Sequence, residues 1–155
     1  MELSAGDKAP KFRLATDGGG DVSTASLKGK PFVLYFYPKD DTAGCTKEAI
    51  GFSESRRKFD ALGVPVIGVS KDSTASHDWF KAKYKLKIAL ASDPEVKTAR
   101  DYGVWGEKTL YGRKYMGMER ATFLVDAKGV IHSVWRKVKV PGHVEAVLAA
   151  VKTLS

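Results

Sequence analysis

The chain is poor in cysteine: one residue, Cys45, in 155. A lone thiol forms no intramolecular disulfide and cannot build a cysteine-rich zinc site. Asparagine is missing altogether, so there is no glycosylation sequon. Long apolar runs are missing too. None exceeds the length of Phe32 to Tyr37, which falls far short of a membrane span. The first residues, Met-Glu-Leu-Ser-Ala-Gly-Asp-Lys, lack the basic and then apolar segments of a secretory signal. Together these absences predict a reducing, cytoplasmic setting and no membrane partner.

With 43% hydrophobic and 28% charged residues, the composition is that of a globular chain and not a disordered one. The length predicts one domain over residues 1–155, burying roughly 70% of the unfolded surface without a staple. Acidic residues are the scarcer sign: 18 against 26 basic ones leaves +8. A pI near 9.5 is compatible with nucleic-acid binding. The cations, however, run from Lys8 to Lys152 among acidic neighbours, and a local cluster such as Arg136-Lys137-Val138-Lys139 holds only three. No zinc-finger, basic-zipper or RNP pattern occurs. The charge reads as a solvated surface with no nucleic-acid partner, and an acidic or phosphate-bearing partner stays open.

Strand and helix patterns alternate throughout, with no repeat and no linker. Residues 10–30 carry Phe12 and Leu14 and then the turn Asp17-Gly18-Gly19-Gly20-Asp21, which predicts a small edge hairpin. Pro31–Tyr37 is continuously apolar, β-branched and aromatic, as in a strand buried on both faces. The polar loop Pro38–Gly44 leads to a helical pattern from about 44 to Leu62, with Phe52, Phe59 and Leu62 on one face. Val64–Ser70 is a second buried strand, followed by a helix around Thr74–Tyr84 and a short strand Ile88–Leu90. Asp93-Pro94-Glu95 signals a helix start. Ala121–Asp126, a turn at Ala127–Gly129, and Val130–Arg136 give the strongest hairpin signal. Val144, Val147, Leu148 and Val151 form a final amphipathic helix after Pro141. This order predicts a three-layer α/β sandwich around a central mixed sheet flanked by helices, with the N-terminal β-hairpin at its edge.

Cys45 follows a buried strand and a polar loop and falls in the first turn of a helix. Unpaired N–H groups and the helix dipole favour an anion there, and thiolate is the reactive form of cysteine. A buried, inert thiol is the alternative. The polar neighbours Asp40, Asp41, Thr42, Gly44, Thr46, Lys47 and Glu48 argue against core placement.

The spacing Pro38-x-x-x-Thr42-x-x-Cys45, with Glu48 three residues on, resembles the active-site signature of the peroxiredoxins. The run Tyr35–Ala49 resembles the bacterioferritin-comigratory-protein (PrxQ) subfamily, as do Gly6–Phe12, Tyr102–Lys108 and Arg120–Asp126. The resemblance implies a thioredoxin-like fold and a thiol-dependent peroxidase with no cofactor, acting on hydrogen peroxide and organic hydroperoxides. It makes Cys45 the peroxidatic nucleophile, Thr42 a group that positions the peroxide, and Arg120 a cation beside the thiolate. Pro38 would shield the thiolate, Gly44 would offer its N–H to the peroxide, and Glu48 would orient Arg120.

Plainer readings stand beside these: Thr42 as a helix cap, Arg120 as a surface charge, Pro38 as a strand end. Trp105 reads as core. Many PrxQ proteins carry a resolving cysteine five residues after the peroxidatic one, where this chain has Ile50, or in the region matching 74–84, where it has none. The resemblance therefore implies a one-Cys cycle, reduced by thioredoxin, glutaredoxin or glutathione, in a protein expected to be a monomer.

Other chemistries lack their residues. His77, His132 and His143 show no ligand spacing, so no metal is expected. There is no phosphate-binding glycine loop, no nucleophile elbow at Gly68–Asp72, and no Cys-x-x-Cys for a disulfide oxidoreductase. The rival from a different class is a non-catalytic, basic binding module on the same fold.

Overall fold

The computed structural model describes residues 3–154; Met1 and Glu2, part of the N-terminal reading, lie outside them, as does Ser155. The edge hairpin is present as β1 (Arg13–Thr16) and β2 (Asp21–Ser23), joined through a 3-10 turn at Asp17–Gly19. Next come β3 (Phe32–Phe36), α1 (Ala43–Glu54) and α2 (Arg56–Ala61). The middle of the chain holds β4 (Val66–Ser70), α3 (Thr74–Tyr84), β5 (Ala89–Ser92) and α4 (Lys97–Asp101). A two-stranded ribbon, β6 (Trp105–Leu110) and β7 (Arg113–Met118), precedes β8 (Ala121–Val125), β9 (Ile131–Trp135) and α5 (His143–Val151).

Seven strands make one mixed sheet in the order β2-β1-β5-β4-β3-β8-β9. β3, β4 and β5 run parallel, and the remaining pairings are antiparallel. Successive side chains of β3 point to opposite faces, so each face has its own core. Leu34 and Phe36 join Phe12, Ile67, Tyr102 and Phe123 on one side. Val33 and Tyr35 join Phe52, Phe59, Phe80 and Val147 on the other, under α1, α2, α3 and α5. This is the expected sandwich.

Several boundaries differ from the sequence expectation. The helix expected over 44–62 breaks at Ser55, whose ψ of 1° separates α1 from α2. Phe52 and Phe59 are buried, but Leu62 is 43% exposed. It lies at the end of α2, where Gly63, at φ 72°, turns the chain. Val64 N donates to Phe59 O and Gly63 N to Asp60 O, the double bond that ends a helix on a left-handed residue. The strand expected at 64–70 begins at Val66, and the one expected at 88–90 runs over Ala89–Ser92. The helix expected from Asp93 starts at Lys97, because Val96 takes a left-handed φ of 52°. Asp93 still caps it across that turn, accepting from Thr98 N and Ala99 N at 3.3 and 2.9 Å. The β6–β7 ribbon was not anticipated. Its signal is Tyr111-Gly112, both with positive φ, the two-residue turn that matches strand twist.

Tyr35 leans across β4 and stacks on Phe52 of α1 at 4.7 Å between ring centroids. Gly68 makes room for it: a Cβ there would fall 2.6 Å from Tyr35 Cζ and 2.7 Å from its hydroxyl oxygen. Gly68→Ala is expected to lower stability by about 1–3 kcal/mol, the usual cost of overpacking. Urea unfolding measures this; a stability equal to the parent's would show that the ring moves aside freely.

Candidate active site

Parallel β3 and β4 end at the same edge of the sheet, and open α/β sheets bind ligands beyond such carboxyl ends. The loop leaving β3 passes Pro38, turns at Asp41 in a left-handed φ of 59°, and enters α1 at Ala43. Cys45 is the third residue of that helix. β8 runs antiparallel to β3 with Ala121 opposite Phe36. Arg120, the residue before β8, therefore arrives at the same edge although 75 positions separate it from Cys45.

The Arg120 guanidinium spans two groups of α1. Its Nη2 donates to Cys45 Sγ at 3.3 Å and its Nη1 to Glu48 Oε1 at 2.7 Å. Cys45 and Glu48 are three apart, hence neighbours on one helix face. Gly44 leaves the approach open: a Cβ there would lie 3.0 Å from Arg120 Nη2.

Cys45 is only 1% exposed, which the polar neighbours did not suggest. The first turn of α1 aims Cys45 into the core beside Tyr35, while Thr42, Ala43 and Lys47 face solvent. Thr42 occupies the cap position of the backbone but makes no cap. Its Oγ1 donates to Lys39 O at 2.8 Å, so the oxygen's lone pairs are not spent on the helix. The first intrahelical bond runs from Thr46 N to Thr42 O, leaving the N–H groups of Gly44 and Cys45 ahead of it. Pro38 is half-buried and lies two residues past the end of β3.

Electrostatics in this corner are strongly perturbed. Burial pushes the Glu48 carboxyl up to about 7, against the opposing pull of Arg120. Glu48 is 0% exposed, and its Oε2 has no partner among the described residues. Burial opposes the charge on Arg120, but Glu48 and Cys45 outweigh it and raise its pKa above the ordinary value.

Two groups that the sequence reading did not single out feel the same guanidinium. Burial first, and the Arg120 cation second, hold the His143 imidazole down to about 4. His143 Nε2 lies 2.7 Å from Thr122 Oγ1, and a neutral ring accepts from that hydroxyl. Lys108 of β6 donates to Met118 O, and burial together with Arg120 lowers its pKa. Neither lies near the Cys45 motif in the chain: Lys108 comes in on β6 and His143 on the first turn of α5, against Thr122 of β8. Among the described residues no cluster of three or more His, Cys, Asp or Glu could hold a metal.

The chain matches the AhpC/TSA family over residues 5–134. It is 51% identical to a putative peroxiredoxin bcp of Coxiella burnetii over 148 residues, covering 96% of this chain and 98% of the relative. The chain belongs to the AhpC/TSA family, as a Bcp/PrxQ peroxiredoxin. Peroxiredoxin Bcp of Bacillus subtilis is 46% identical across 100% of this chain and 99% of its own length. The bacterioferritin comigratory protein of Xanthomonas campestris, described for its alkyl peroxide reduction activity, superposes with a TM-score of 0.87 at 42% identity. That match covers 91% of this chain and 90% of the other. This peroxiredoxin is thus a thiol-dependent peroxidase with the thioredoxin-like fold, acting on peroxides and drawing on a thiol reductant. The peroxidase reading takes precedence over the non-catalytic basic module. Among the described residues, no helix of the peroxiredoxin is long and apolar enough to cross a membrane.

Proposed function

We propose that Cys45 is the peroxidatic nucleophile and that the chain works by a one-Cys cycle. The observation that carries this reading is the Arg120 guanidinium clamped between Cys45 Sγ and Glu48 Oε1. In the first step the Cys45 thiolate attacks one peroxide oxygen. The S–O bond forms as the O–O bond breaks, and the departing hydroxide or alkoxide takes a proton to leave as water or alcohol. Arg120 stabilises the charge that builds on that oxygen, which counts for more in a water-poor corner than in solution. Thr42 Oγ1 accepts from the peroxide, the Gly44 and Cys45 N–H groups donate to it, Pro38 limits water, and Glu48 keeps Arg120 oriented.

Cys45 is left as a sulfenic acid. The chain offers no second thiol, so an external thiol attacks the sulfenic sulfur and releases water. A second external thiol then frees Cys45 from the mixed disulfide. Thioredoxin, glutaredoxin or glutathione fills this role, and a single domain acting as a monomer in the reducing cytoplasm suits such a cycle. The alkyl peroxide reduction described for the Xanthomonas relative supports organic hydroperoxides beside hydrogen peroxide as substrates.

The test is one turnover followed by mass spectrometry. One equivalent of peroxide should add a single oxygen to Cys45 and no intramolecular crosslink, and turnover should then proceed with one of the three donors. A Cys45 that stays reduced under stoichiometric peroxide would overturn the assignment.

A further inference from the structure

The loop that delivers Cys45 is gripped from the side by α3. Asp40, one residue before the left-handed turn, is buried and accepts three hydrogen bonds through its carboxylate. Tyr37 OH donates to Oδ1 at 2.5 Å, Ser76 Oγ to Oδ2 at 2.8 Å, and His77 Nδ1 lies 2.7 Å from Oδ2. Asp40 N donates to Asp72 Oδ2 at 2.8 Å, which ties the loop to the end of β4. The next residue, Asp41, adopts a backbone that non-glycine residues rarely take and that persists only where its surroundings enforce it. Its carboxylate accepts from Lys83 Nζ at 2.8 Å and Tyr84 OH at 2.5 Å, both on α3.

His77 is 0% exposed and both its ring nitrogens meet oxygen. Nε2 lies 2.9 Å from Ala91 O. A backbone carbonyl only accepts, so Nε2 carries hydrogen; the contact between Nδ1 and the Asp40 carboxylate then needs a second proton. The Asp40–His77 pair holds that proton between them. A buried pair of this kind, with both carboxylate oxygens of Asp40 engaged, defines one position of the loop.

We infer that Asp40 and His77 are positioning residues for the peroxidase reaction. They hold residues 38–44 so that Thr42 and the Gly44 N–H stand correctly against Cys45. This rests on the reading of Cys45 as the nucleophile. The pair touches neither Cys45 nor Arg120, so its effect falls on the seating of the peroxide and leaves the thiol's own reactivity alone.

Two reagents separate these. Hydrogen peroxide needs the seat; iodoacetamide needs only the thiolate. Asp40→Ala is expected to slow Cys45 oxidation by hydrogen peroxide by about thirtyfold and to change alkylation by less than about threefold, the pattern of a misplaced substrate. Asp40→Asn keeps the geometry without the shared proton: its amide donates one N–H to a neutral His77 Nδ1 and the other to Ser76 Oγ, which turns from donor to acceptor, and its oxygen still accepts from Tyr37. Its peroxide rate should return to within about threefold of the parent's, since the loop is again in place. Should Asp40→Ala fail to fold, Ser76→Ala and Tyr84→Phe each delete one bond of the grip and are expected to lower the peroxide rate alone. A peroxide rate unchanged in the deletion variants, or peroxide and iodoacetamide rates falling together, overturns the inference. A parent protein whose Cys45 ignores peroxide overturns instead the reading on which it rests.

Discussion

Arg120→Ala is expected to slow Cys45 oxidation by peroxide about 10²–10³-fold while the fold is retained, the range seen when one preorganised donor to a developing oxyanion is removed. The variant deletes both the 3.3 Å donor to Sγ and the 2.7 Å donor to Glu48. Fold retention follows from the state of Glu48. With burial already lifting its carboxyl to about 7 against the pull of Arg120, loss of the cation leaves it neutral at neutral pH. No uncompensated buried charge remains. Arg120→Lys keeps a cation but cannot span Sγ and Glu48 at once with a planar fork, so an intermediate rate is expected. Stopped-flow tryptophan fluorescence with hydrogen peroxide reads both. Near-parental rates for Arg120→Ala would remove the guanidinium from the chemistry and leave it a structural tie.

The second large effect is on stability. Glu48→Gln should make the protein more stable above pH 7 by about 3 kcal/mol, the equivalent of a carboxyl raised from 4.5 to about 7. Below 4.5 the carboxyl is neutral both folded and unfolded. Between 4.5 and 7 the unfolded chain releases a proton that the folded chain keeps, so stability falls as pH rises. The glutamine amide removes this loss and still accepts from Arg120 through its oxygen.

His143 acts in the opposite sense. Its imidazole is lowered from 6.5 to about 4, so as pH drops through that window the unfolded chain gains a proton that the folded chain refuses. Stability then falls toward acid. In the parent the two slopes oppose each other across their shared window, and the profile there is expected to be nearly flat. Glu48→Gln unmasks the His143 slope: high stability above 6.5, declining toward pH 4. Chemical denaturation at a series of pH values checks this. Parallel profiles for parent and variant would show that Glu48 is not the group titrating.

How much of this could be read beforehand depends on the distance along the chain over which each feature is encoded. β3 and α3 were legible because an unbroken apolar run and a helical pattern are local signals; α3 has the expected bounds, Thr74–Tyr84. The division of α1 from α2 at Ser55 was not, since apolar spacing continues across it to Phe59 and the break is a matter of two backbone angles. The burial of Cys45 was misjudged for a related reason. Polar neighbours describe the loop, whereas one turn of helix decides which side chain points inward.

The sequence by itself determined that a single thiol must carry any cysteine chemistry of this chain, and that it opens a helix after a buried strand. Only the tertiary structure decided what surrounds that thiol. Arg120 meets Cys45 through antiparallel pairing of β8 with β3. His77 reaches Asp40 because α3 packs over the same edge, and Lys108 and His143 enter the field of Arg120 from elements that share no local pattern with the motif. Helix and strand patterns are set by neighbours within a few positions. Charge and hydrogen bonding at this site are set by residues tens of positions apart, and the folded sheet is what makes them neighbours.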